Sequence, residues 1–117
     1  MVIDNIVEYM NARSNRKFTR YEGCAIRDSI KIESKERDTR PIGLNTKTKL
    51  GRAVISQRTA DICKRDYNVS VTAKDVKLYK NCFADEYSDR TGKCAWGFRN
   101  KRIDLGYDPE TGVEIIN

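Results

Sequence analysis

The chain contains no histidine. That excludes the Ser-His-Asp and Cys-His nucleophile systems. Its four cysteines, Cys24, Cys63, Cys82 and Cys94, form no C-x-x-C pair. Structural zinc sites usually bring paired ligands at short spacing. No metal is therefore expected, and an all-thiolate site from four scattered positions is the remaining route to one. In a reducing compartment such thiols act as small buried apolar residues. In an oxidising one they allow two disulfides, with three connectivities. The seven glycines make neither G-x-G-x-x-G nor a phosphate-loop signature, so no cofactor is expected. No apolar run approaches the ~20 residues that span a bilayer. The first ten residues carry Asp4 and Glu8 without a basic flank, unlike a secretory signal. These absences point to the cytoplasm of a bacterium or an infected cell, and away from a membrane.

What the chain has is positive charge. Its 117 residues suit a single domain, and the net charge is +6. Residues 103–117 hold four acids and no Lys or Arg. Residues 1–102 therefore carry 23 basic against 13 acidic side chains, a net +10. Residues 39–60 contain Arg40, Lys47, Lys49, Arg52 and Arg58 with no acid. Residues 93–102 contain Lys93, Arg99, Lys101 and Arg102, again with no acid. Patches of this kind bind polyanions because each neutralised phosphate releases condensed counterions.

The pattern along the chain predicts an α+β fold. Val2, Ile3, Ile6, Val7 and Met10 lie on one helical stripe, so residues 2–12 read as a helix. "RSNRKFTR" reads as a basic turn or loop. "CAIRDSIKIES" places Ile26, Ile30 and Ile32 on one parity, interrupted at Asp28, and reads as a strand. Residues 35–51 hold a proline and two glycines among polar residues and read as an exposed basic loop. Residues 52–66 and 72–83 carry two helical patterns. Thr72 and Asp75 are spaced as a capping-box-like pair at the start of the second. "ADEYSDRTG" reads as a polar loop. Beyond it, Cys94, Trp96 and Phe98, then Ile103, Leu105 and Tyr107, then Val113 and Ile115 alternate as a three-stranded antiparallel meander, with "DPETG" as a turn.

The stretch "TADICKRDYNVSVTAKDVKLYK", residues 59–80, resembles a helix-turn-helix. The likeness lies in "TADI" on the first helix, "NVS" at the turn and "TAKDVKLYK" as recognition helix. It covers 22 of the 117 residues, and Asn68 stands where a glycine is common. The resemblance implies that the second helix enters the major groove. Thr72, Lys74, Asp75, Lys77 and Lys80 would then lie on the DNA side, while Val69, Val76 and Tyr79 would join the two helices. A hairpin after such a unit builds a wing, and Lys93, Arg99, Lys101 and Arg102 would sit on it. A DNA reader of this size needs a second contact, for which a homodimer is one solution.

Two other readings compete. Asp28, Glu33 and Lys35 in "DSIKIESK" resemble the D…E-x-K pattern of metal-dependent nucleases, in which two carboxylates hold Mg²⁺. The chain also resembles in style the short accessory proteins of bacteriophages, anti-CRISPR inhibitors among them. That likeness implies a host nucleoprotein complex as partner. The leading expectation is a non-enzymatic, duplex-DNA-binding protein that uses residues 72–83 and 93–102.

Overall fold

The computed structural model describes residues 2–92. They form four helices: α1 (Val2–Arg13), α2 (Arg20–Thr39), α3 (Lys49–Tyr67) and α4 (Ala73–Thr91). In α1 the expected stripe is buried through Ile3, Ile6, Val7 and Met10. The α+β expectation is corrected here: the described residues are all helical, with no strand among them. The segment expected as a strand, residues 24–34, is the middle of α2. Thr19 caps this helix and Glu22 closes a capping box, which satisfies orphan N–H groups at its start. From there Ala25, Ile26, Ser29, Ile30 and Glu33 turn inward at spacings of three and four. A helical stripe also places Ile26 and Ile30 one turn apart, so their shared parity did not distinguish strand from helix. The expected meander and hairpin, with Lys93, Arg99, Lys101 and Arg102, lie outside the described residues.

Other boundaries also shift. The loop expected over 35–51 is confined to residues 40–48, because α2 continues to Thr39 and α3 starts at Lys49. "ADEYSDRTG" is the second half of α4, where Ala84, Glu86 and Tyr87 are buried. Gly92 ends α4 at φ 72° and donates its N–H to the Ser88 carbonyl at 2.8 Å. Asn68 ends α3 at φ 56°, a left-handed position that Asn tolerates better than most residues. The next N–H, of Val69, returns to the Cys63 carbonyl at 3.1 Å.

The helices pack in a closed ring: α1 on α2, α2 on α3, α3 on α4, and α4 back on α1. The outer pair runs antiparallel. The Tyr9 hydroxyl donates to Asp89 at 2.6 Å, while Arg13 meets Asp85 at 2.6 Å. Between the helices lie Met10, Phe18, Ile26, Ile30, Cys63, Val76, Tyr79, Phe83 and Tyr87. Gly23 lets α1 approach α2 closely; a Cβ there would meet Val7 Cγ2 at 2.7 Å. Gly51 does the same for the α2–α3 loop. A Cβ there would stand 2.0 Å from the Asn45 carbonyl oxygen, so the loop lies directly on the first turn of α3.

Candidate nucleic-acid interface

Most arginines of the described residues are committed to the fold. Arg13 pairs with Asp85, Arg20 with Asp4, Arg27 with Asp28, and Arg90 with Glu86. Arg65 meets both Glu36 and Asp66 at 2.8 Å. Arg16, in the α1–α2 loop, reaches Glu22 at 2.7 Å and Asp75 at 3.1 Å. Those two carboxylates are the third helical residues of α2 and α4, so one guanidinium ties two helix starts together. Its Cζ also lies over the Phe18 ring, 4.8 Å from the ring centroid.

The deepest charge cluster joins α2 to α3. Glu33 is 1% exposed, with one carboxylate oxygen 3.1 Å from Arg37 and the other 3.3 Å from Arg58. Both oxygens are thereby occupied, as a buried carboxylate requires. The nuclease reading loses its geometry here. Asp28 faces Arg27 at 3.1 Å, Glu33 is closed between two arginines, and Lys35 is exposed. Five helical residues turn Asp28 and Glu33 about 140° apart. No group of three or more potential metal ligands forms among the described residues.

The expected DNA-facing residues of α4 divide into two sets. The Thr72 hydroxyl accepts from the Asp75 N–H at 3.1 Å, and Asp75 accepts from the Thr72 N–H at 3.0 Å. Both side chains are used by the cap, and Asp75 also by Arg16. Lys80 is half-buried, whereas Lys74 and Lys77 are exposed. Val69, Val76 and Tyr79 are buried.

The cations left over concentrate elsewhere. Arg40, Lys47, Lys49 and Arg52 are all exposed, and none has a carboxylate partner among the described residues. They occupy the α2–α3 loop and the first turn of α3. Arg52 donates to the Lys47 carbonyl, which folds its guanidinium back over the loop. Arg58, expected in the same set, is instead held on Glu33. The first turn of α3 carries no acid but two bases, against the usual preference for negative charge at a helix start. Leu50, 66% exposed, and Leu44, 39% exposed, stand among these cations.

The two buried thiols, Cys63 and Cys82, are poor nucleophiles. Burial pushes the Cys63 and Cys82 thiols up, so they stay protonated at neutral pH. Cys24, Cys63 and Cys82 are all free, with no disulfide among them. No helix is long and apolar enough to cross a membrane among the described residues. The ion pairing was invisible in sequence, since Arg16 and Asp75 are 59 positions apart and Arg58 and Glu33 are 25 apart. The signal available for Arg16 was the pair of T-x-x-[DE] caps, whose carboxylates invite a cation. No family model matches the chain, and neither a curated protein nor a solved structure shows significant similarity to it.

Proposed function

We propose that this protein is a small, non-enzymatic nucleic-acid-binding protein that grips the phosphates of duplex DNA. The contact surface is the α2–α3 loop with the first turn of α3, through Arg40, Lys47, Lys49 and Arg52. Lys74 and Lys77 on α4 extend it. One observation carries the reading: the other arginines of the described residues are locked on carboxylates, while Arg40, Lys47, Lys49 and Arg52 cluster with no carboxylate partner among the described residues. Unpaired surface charge costs the fold self-repulsion and gains nothing locally. A phosphate backbone relieves it. Phosphate contacts position a protein without reading sequence, so the reading predicts affinity with little sequence preference.

The test is binding to labelled random duplex at about 50 and 200 mM salt. Four phosphate contacts give a log–log slope of roughly −3.6, or about 10²-fold weaker binding at the higher salt. Lys47→Glu with Arg52→Glu should flatten that slope by about two contacts. An unchanged slope in that variant, or no binding at low salt, overturns the reading. A second reading, inhibition of a host nucleoprotein complex, draws support from exposed Leu44 and Leu50 beside the cations. A mostly apolar protein interface centred on those leucines would respond weakly to salt, which separates the two.

A further inference from the structure

The patch that would take phosphate has a feature phosphate does not need. Three large apolar side chains stay exposed among the described residues: Tyr21, Leu44 and Leu50. Tyr21 still uses its hydroxyl, which donates to the Tyr67 carbonyl at 3.0 Å. Leu44 and Leu50 both lie within residues 40–52, the segment that holds Arg40, Lys47, Lys49 and Arg52. Leu50 is the most exposed of the three, at 66%.

Leu50 is also presented on a fixed turn. It is the second residue of α3, and helical side chains tilt toward the start of their helix. Leu50 therefore leans toward the end of α3 where the cations gather. The loop beside it is tied by hydrogen bonds. The Asn45 carbonyl accepts from the Thr48 hydroxyl at 2.8 Å, and the Asn45 side chain accepts from the Lys47 N–H at 2.9 Å. Gly51 lets this loop lie on the first turn of α3. A side chain held on such a platform loses little freedom when it binds.

We infer that Leu50 is a wedge, which enters a groove of the bound duplex beside the gripped phosphates and partly unstacks one base step. This rests on the proposed function. Phosphates line both sides of a groove, so cations that grip them bring a neighbouring side chain up to the bases. Leucine has no hydrogen bond to offer the base edges, and it gains apolar contact by sliding between two bases. Proteins that kink the duplex insert leucine and other apolar side chains in this way, and the bend brings more of the DNA against the protein. The preference this creates is for DNA that deforms easily, without base-specific contacts.

The test compares an intact random duplex with the same duplex carrying a one-base bulge, where the stack is already broken. The full chain should bind the bulged duplex about ten-fold more tightly, because part of the unstacking cost is already met. On a short intact duplex labelled at both ends, binding should bring the ends closer in a fluorescence-transfer measurement. Leu50→Ala should lose both the preference and the bend and keep the salt slope, since its charge is unaltered. Lys47→Glu with Arg52→Glu should do the reverse, flattening the slope while the preference remains. Salt-steep binding without preference for the bulge overturns the wedge and leaves the phosphate grip standing. So does a preference that survives Leu50→Ala, or a loss in that variant that is equal on both duplexes, which places the leucine against the backbone. No binding to either duplex at low salt overturns the wedge and the proposed function together.

Discussion

Glu33 shows how one residue can hold two helices and set a direction for mutation. Its carboxylate is buried, whereas its partners Arg37 and Arg58 keep about a quarter to a third of their side chains in water. The arginines can swing out if the glutamate is lost. The glutamate cannot escape if the arginines are lost. Arg37→Met with Arg58→Met should therefore cost about 3–5 kcal/mol, the penalty of an uncompensated buried charge. Adding Glu33→Leu should recover most of it, since an apolar side chain tolerates that site. Urea denaturation of the wild type and the two variants checks this, and a triple variant no better than the double would refute it. In the sequence Glu33 looked like a metal ligand because acid, spacer and lysine stood in the right order. Order along a chain does not reveal which face of a helix a side chain occupies.

At the scale of elements, the starts of helices were more legible than their identities. The Thr72–Asp75 cap and the α1 stripe were readable because each is a local pattern of a few residues. α2 was misread although Thr19 and Glu22 carry the same capping signature. Its isoleucines at 26, 30 and 32 satisfied the parity of a strand, and the cap lies five residues upstream of the misread segment. The far half of α4 was misread because its exposed positions are polar, while Tyr87 and Glu86 pack inward. Arg16 joins the two well-capped starts, and its removal should loosen both. It is 37% exposed, so solvent discounts each pair to about 0.5–1 kcal/mol. Arg16→Ala should then lower stability by about 1–2 kcal/mol in total, and Arg16→Lys should restore only part, since lysine lacks the fork. Calorimetry measures the loss; an unshifted midpoint would mean that the loop contributes nothing to the ring.

For the whole molecule, the missing histidine becomes a prediction about pH. Partial burial pushes Glu22 up, but the Thr19 N–H and the Arg16 guanidinium outweigh it and hold the carboxyl below its usual 4.5. Its contribution is present above that value and is lost as pH falls through the lower, folded value. At the other end burial raises Cys63 and Cys82 from 9.0 and Tyr79 from 10.0. A raised pKa in the fold gives stability that is whole below the unfolded value and is lost as pH rises past it. The Glu22 shift acts below about 4.5 and the Cys63, Cys82 and Tyr79 shifts act above 9, and the chain has no histidine, so stability should be flat from pH 5 to 8. A denaturation series across pH would show a plateau with two falling limbs; a slope near pH 6.5 would contradict it. The ring of helices has one more outcome, in time. α1 is closed by α4, and Tyr9 waits 80 residues for Asp89. At about 5–20 residues per second on the ribosome, that is roughly 4–16 s. For those seconds Ile3, Ile6 and Met10 leave the ribosome without the helix that seals them. A chaperone that holds apolar stretches has that interval in which to act, and synonymous codons that slow residues 40–72 would lengthen it.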